Sequence, residues 1–260
     1  MAQSSPPAVI RPVVAGSSGG SSPAESALAT SPEEATAAPE LAGFVDLNAY
    51  YDSRESTNVT IGLLLNLPLR LQYFAFVNLF GPTQASRVGD QELVFSEQNL
   101  RWRLHEEAPL DVVAQYVIRS GPDNDVLRLG LRWRFSATPV IAQLFDLLHL
   151  RYGFSVYAFE TDFQAPALYA LQIEHVYKLQ VLPEHFGDRV YIAGFIDHNI
   201  RIGGAADVPV SRVVTEHQLG IRVVAGLHIV AEFRFNEYMA QDQVGVGLGL
   251  QYLVPFRYQP

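Results

Sequence analysis

Arginines at alternate positions are the residues of this sequence whose spacing most clearly indicates a chemistry. Arg128, Arg132 and Arg134 alternate with leucine and tryptophan in the segment 126–135. Successive side chains of a β-strand point to opposite faces, so this spacing places three guanidinium groups on one face and the apolar side chains on the other. Guanidinium groups bind carboxylates and phosphates through paired hydrogen bonds. The segment therefore predicts a strand wall that holds anionic groups.

The same alternation assigns other charged side chains to the polar faces of neighbouring strands. The basic members on predicted strands three to six are Arg70, Arg101, Arg103, Arg128, Arg132 and Arg134. Charges of both signs occur on predicted strands eight to eleven: Glu174, Asp197, Glu216, Arg222, Glu232 and Arg234. If these faces enclose a pore, guanidinium groups opposite carboxylates create a transverse field that selects and orients polar solutes. The alternative is a salt-bridge network that fills the lumen.

The arginines on strands four and six are expected to form one rung: Arg101, Arg103, Arg128, Arg132 and Arg134. Strand five lies between these two strands, and its polar face presents Val113, Gln115 and Val117. Because none of these three is a carboxylate, we expect the countercharge to come from across the lumen or from a solute.

Three histidines, His175, His198 and His217, fall on the apolar faces of strands eight, nine and ten. This placement fits a metal site, a contact surface for a protein partner or a second copy, or histidines near a membrane interface, and we favour the last of these. The body serines lack a nucleophile-elbow context, and the sequence has no phosphate loop, HExxH or EF-hand loop. We predict no catalytic residues, no metal and no cofactor.

From residue 43 onward, almost the whole chain alternates apolar and polar residues. About twelve segments do so: 43–53, 57–66, 69–80, 92–104, 110–120, 124–136, 150–161, 166–180, 187–201, 210–223, 227–236 and 242–256. Most have the nine to eleven or so residues that a tilted strand needs to cross a bilayer.

The segment 138–150 instead has helical spacing, which predicts a short amphipathic helix or an apolar loop. It either rests on the barrel rim, which we favour, or forms a partner contact or a flap over the pore mouth.

Composition excludes several classes of protein. The 260 residues include no cysteine, which excludes disulfides and thiolate sites, and the net charge of −9 without a Lys/Arg tract argues against nucleic acid. A mean hydropathy of +0.09, with no long apolar run, excludes a helical membrane protein.

Residues 1–41 are rich in Ala, Ser and Pro, which predicts a disordered tail before a barrel domain at 42–260; a tail that plugs the barrel is the alternative. An exported barrel carries a signal peptide at synthesis, so we expect a processed chain with an added methionine.

A soluble β-sandwich also alternates, but its water-facing side usually carries lysine, glutamate and threonine. Here the polar faces carry arginines and carboxylates, which resembles the lumen of a narrow barrel, and tyrosine and tryptophan recur near strand ends, as in membrane girdles. The last strand alternates apolar residues from Val244 to Phe256 and ends on an aromatic residue. In these features the chain resembles the outer-membrane β-barrels of Gram-negative bacteria. No motif ties it to one family of that class.

This resemblance implies an all-β fold: a transmembrane, antiparallel, up-and-down barrel of about twelve strands in the bacterial outer membrane, with a periplasmic N-terminal tail. The predicted function is a porin-like channel for passive diffusion of small polar, anionic solutes. The alternative is a closed barrel that acts as a scaffold or subunit of an envelope complex. The expected partners are outer-membrane lipid, the solutes, and a protein or a second copy at the histidine face.

Overall fold

A computed structural model describes residues 11–12, 41–53, 56–82, 93–119, 125–162, 170–201, 211–237 and 243–258. Twelve strands follow one another: β1 (Leu41–Asp52), β2 (Ser56–Leu67), β3 (Leu71–Pro82), β4 (Leu93–Arg103), β5 (Leu110–Arg119), β6 (Val126–Arg134), β7 (Leu150–Asp162), β8 (Ala170–Gln180), β9 (Val190–Arg201), β10 (Ser211–Val224), β11 (Leu227–Asn236) and β12 (Val244–Tyr258). Each strand pairs antiparallel with the next, and β12 pairs with β1, so the sheet closes. The predicted twelve-stranded up-and-down barrel is confirmed.

The first and last strands define one rim of the barrel, where Leu41 pairs with Tyr258. We call this rim the terminal end and the other rim the opposite end. A further two-residue strand, Arg11–Pro12, pairs with Phe256 and Arg257 of β12. Apart from these two residues and Leu41, the predicted tail and its alternative as a plug lie outside the described residues.

Two short helices lie at the terminal end. Between β6 and β7 the chain forms a 3₁₀ turn, Phe135–Ala137, and then α1, Pro139–Leu147; α2, Pro183–Phe186, joins β8 to β9. The ring of Phe145 on α1 packs against Phe135 and Tyr152, with ring centroids 5.7 and 5.8 Å apart. The helix predicted in this segment therefore rests on the barrel rim. Within the part of the chain that the structure describes, no helix is long and apolar enough to cross a membrane.

Apolar residues cover the outside of the barrel and polar residues fill its inside, which is the reverse of a soluble protein. On the outer surface, Leu131 is 48% exposed and Leu248 is 64% exposed, whereas Asn99 and Gln115 inside the barrel are fully buried. Such a large apolar surface is costly in water and favourable against lipid. Trp133 lies on this surface near the end of β6, close to the terminal end of the barrel. Amphipathic aromatic rings are typical of this position, where the lipid headgroups begin. The fold is that of a transmembrane β-barrel.

Candidate functional site

The inward face of β6 carries arginines, as alternation places them. Arg128 and Arg132 are buried inside the barrel, and Arg134 is half-buried near the terminal end. Leu129 and Leu131 are exposed on the outer surface. Alternate residues of the strand must face lipid, so the arginines between them lie on the lumen side.

Five of the predicted arginines surround one cavity of about 160 Å³ at the terminal end, which we call the arginine vestibule. Its lining comprises Arg70, Arg101, Arg103, Arg132 and Arg134 together with Asp111, Asn66, Leu67, Leu71 and Gln72. Arg70 reaches it from a turn, not from β3 as predicted: its φ is 65°, and its Nη1 donates to the carbonyl of Leu104 over 3.3 Å. The vestibule therefore draws its arginines from two strands, β4 and β6, and a turn.

Positive charge in the vestibule is only partly neutralised. Arg101 and Arg132 both donate to the neutral Oε1 of Gln72, over 3.2 and 3.1 Å. Asp111 accepts from Nε of Arg134 over 2.9 Å, and its second oxygen lies 3.9 Å from Nη1 of Arg132. Nε of Arg101 is buried and has no hydrogen-bond partner among the described residues. One carboxylate facing five guanidinium groups leaves a site that attracts anions.

The expectation that strand five carries no countercharge is wrong, because Asp111 shares the inward face of β5 with Val113. The expected single rung is also divided. Arg128 is absent from the vestibule lining; its Nε forms an ion pair with Glu160 on β7 over 2.7 Å, and its Nη1 donates to Gln115 over 2.7 Å. Both partners are inward-facing side chains of neighbouring strands. Arg128 thus belongs to a structural network, and the other four rung members line the vestibule.

A second ionic cluster lies on β10 and β11. Arg234 pairs with Glu216, over 3.1 Å, and with Glu232. Its guanidinium carbon lies 5.5 Å from the ring centroid of Tyr50 on β1. A Cβ atom on Gly249 would come within 2.8 Å of that ring. The glycine-rich inner face of β12 therefore accommodates a tyrosine of the neighbouring strand.

The remaining predicted lumen residues are placed separately. Glu174 on β8 lies directly across from Asp197 on β9, and both face the lumen. Arg222 forms a two-point ion pair with Asp188 beside α2 at the terminal end. The structure thus brings together the vestibule arginines, the Glu216–Glu232–Arg234 cluster and the Glu174–Asp197 pair, but not the twelve residues as one site.

One side of the lumen is closed by a polar network. Gln115 donates to Asn99 and to the Tyr157 hydroxyl, each over 3.3 Å, and Tyr157 donates to Asn99 over 3.2 Å. All three side chains are fully buried. Side chains of β4, β5 and β7 therefore fill this part of the barrel.

Another part of the lumen is open to water. Val176 on β8 faces inward, between the inward-facing Gly153 and Phe195, yet it is 39% exposed. A Cβ atom on Gly153 would have its nearest neighbour 3.9 Å away, at the carbonyl of Val176. An apolar side chain inside the barrel gains this exposure only from a water-accessible space, which we call the slot.

Aromatic rings inside the barrel were not found from the sequence. The rings of Phe74, Phe76 and Phe95 follow one another at 6.0 and 5.7 Å, and the guanidinium of Arg101 lies 5.3 Å from the centroid of Phe74. On β3 both faces are largely apolar, so alternation gives no signal there.

The three histidines lie on the outer surface and do not meet. The hydroxyl of Tyr177 lies 2.6 Å from Nδ1 of His217, and that of Tyr152 bonds to Nδ1 of His175. Nε2 of His198 lies 2.6 Å from the hydroxyl of Ser211. A hydroxyl thus satisfies one ring nitrogen of each histidine, from the neighbouring strand for His175 and His198 and from β8, two strands away, for His217. Among the described residues there is no cluster of three acidic or histidine side chains that would hold a metal ion.

No protein-family model matches this sequence, and no curated protein matches it. Among solved structures the chain is similar to the KdgM porin (11% identity, 80% of this chain and 98% of that chain, TM-score 0.46) and the NanC porin (9% identity, 80% and 98%, TM-score 0.47). It is also similar to the translocator domain of the autotransporter NalP from Neisseria meningitidis (10% identity, 88% and 90%, TM-score 0.34). The function proposed below is inferred from the lumen of this chain.

Proposed function

We propose that this barrel is a passive channel for small polar solutes in the bacterial outer membrane, with its terminal end and N-terminal tail in the periplasm. The observation that carries this proposal is the water-exposed slot at Val176. A closed scaffold gains nothing from an exposed apolar side chain in its interior, whereas a conducting lumen requires a continuous aqueous space beside its wall. The channel is not an enzyme in this proposal.

The vestibule gives the channel its preference for anionic groups. Anions that reach it meet five guanidinium groups and one carboxylate in a cavity of about 160 Å³. Two of those guanidinium groups share a single neutral acceptor, so their donors are not saturated by carboxylates. Charged rings of this kind select ions by sign in narrow pores.

Conductance in a planar bilayer tests the channel. Val176→Trp should lower the single-channel conductance because the indole fills the slot. Val246→Trp is the matched control, since Val246 is exposed on the outer surface and its replacement leaves the lumen unchanged. Equal conductance for the two variants would remove the slot from the conduction path.

A closed barrel is the second candidate, and the buried network of Asn99, Gln115 and Tyr157 favours it. In that case the barrel would act as a scaffold or subunit of an envelope complex. Inserted protein that gives no ion current would support the scaffold over the channel.

A further inference from the structure

The charges of the lumen are separated along its axis. In the half next to the terminal end, the inward-facing charged residues are Arg101, Arg103, Arg132, Arg134, Arg151, Lys178 and Arg222, with Asp46 and Asp111. In the other half they are Asp52, Glu97, Glu160, Glu174, Asp197, Glu216 and Glu232, with Arg128, Arg212 and Arg234. The described lumen is therefore basic towards the terminal end and acidic towards the opposite end.

Part of the acidic half serves the fold. Glu160 pairs with Arg128, and Arg234 pairs with both Glu216 and Glu232. Each of these carboxylates is paired with a guanidinium group where it lies, as buried charges must be. Two arginines face three carboxylates, so one unit of negative charge remains and adds to the acidic character of this half.

Three other carboxylates are not neutralised in this way. Glu174 is buried, and the described residues give it no ion pair. Asp197 lies directly across from it, with a buried Oδ1 that has no hydrogen-bond partner in the described part of the chain. Glu97 accepts a hydrogen bond from the Asn99 amide over 2.7 Å and forms no ion pair among the described residues. Like charges in facing positions destabilise a sheet, so a cationic group between them would be favourable.

The distance between the two halves sets the size of a solute that meets both. Glu97 and Arg101 are four residues apart on β4, as are Glu174 and Lys178 on β8. Four residues span about 13 Å of strand, which is about 10 Å along the axis for a strand tilted by about 40°. An extended chain of three residues is also about 10 Å long.

We propose that the lumen takes dipolar solutes of about the length of a tripeptide. The solute lies along the slot, with its ammonium group at Glu174 and Asp197 and its carboxylate towards the vestibule arginines. This inference rests on the proposed channel and specifies that the anionic group it attracts belongs to a solute whose other end is cationic. The acidic half would repel a solute that carries only negative charge, and the basic half would repel a solute that carries only positive charge.

Interruption of the ion current by three matched peptides tests the proposal. Triglycine carries both charges, N-acetyl-triglycine only the carboxylate, and triglycine amide only the ammonium group. Each added contact between opposite charges at about 4 Å in water increases occupancy about fivefold. We therefore expect triglycine to interrupt the current at a concentration about fivefold lower than either of the other peptides.

Variants separate the two ends. Glu174→Gln with Asp197→Asn should abolish the advantage of triglycine over N-acetyl-triglycine, and Asp197→Asn alone should reduce it if the double variant fails to assemble. Arg101→Gln should reduce the advantage of triglycine over triglycine amide. Glu184→Gln, in the exposed turn of α2, is the control and should change neither.

The outcomes are distinguishable. Inserted protein that conducts no ions overturns both the channel and this inference. Protein that conducts ions, but that N-acetyl-triglycine blocks as well as triglycine does, keeps the channel and overturns the dipolar solute.

Discussion

Ion selectivity should change in opposite directions when Asp111 and Arg101 are neutralised separately. Both residues line the vestibule, and they carry opposite charges. Asp111→Asn keeps an oxygen acceptor for Nε of Arg134 while it removes the only carboxylate of the lining. Arg101→Gln removes a guanidinium group that donates to neutral Gln72. Asp111→Asn should raise the chloride-to-potassium permeability ratio, and Arg101→Gln should lower it.

The magnitude follows from the size of the cavity. A sphere of 160 Å³ has a radius of about 3.4 Å. A charge in the wall therefore lies about 6 Å from the centre, where it contributes about 0.7 kcal/mol per monovalent ion in water. This energy changes the local anion concentration about threefold and the cation concentration about threefold in the other direction. The permeability ratio should therefore change about tenfold in each variant.

Reversal potentials in a potassium chloride gradient near 0.01 M, where the screening length is about 30 Å, measure this ratio. The effect should almost vanish near 1 M salt, where the screening length falls to about 3 Å. Circular dichroism and gel migration before and after heating establish that both variants are folded. Shifts of the same sign in the two variants, or no shift in either, would refute the role given to the vestibule.

Three other predictions concern the whole barrel and its two surfaces. Purified protein should need detergent, give a β-rich circular dichroism spectrum and change its gel migration on heating; a monodisperse detergent-free solution would contradict the membrane barrel. Glu160→Gln should lower the free energy of unfolding by about 3 kcal/mol, because it leaves Arg128 buried without its ion pair; urea titration beside the exposed-site variant Glu184→Gln measures this, and equal midpoints would contradict it. Because we favour histidines near a membrane interface over a contact surface, His217→Cys, in a chain with no other cysteine, should remain monomeric under oxidising conditions in native membranes; a disulfide-linked dimer would instead place a second copy at the histidine face.

The strands were predictable because every residue of a barrel wall has only two environments. In β12, for example, Gly247 and Gly249 face the lumen while Val246 and Leu248 face outward, and this order is visible in the sequence itself. The same rule finds Asp111, which shares its parity with Val113.

Two features escape alternation for physical reasons. Between β6 and β7 the register shifts, with Leu129 opposite Phe159 and Gly130 opposite Tyr157. The extra residue, Ala158, reverses the faces beyond it, so Glu160 turns inward to Arg128 although alternation from Tyr157 would place it outside. Arg70 lies in a left-handed turn conformation, and no parity applies there.

The axial separation of charge does leave a trace in the sequence, which appears only when strand direction is taken into account. On β4 and β8, which run towards the terminal end, the acidic residue precedes the basic one: Glu97 before Arg101 and Glu174 before Lys178. On β7, which runs the other way, Arg151 precedes its acidic residue. Neighbouring strands are antiparallel, so a reversal of charge order from strand to strand places like charges at the same height. A salt-bridge network needs opposite charges at the same height along the barrel axis, and it does not require the charge order to reverse from strand to strand. The observed charge order therefore indicates a field along the axis.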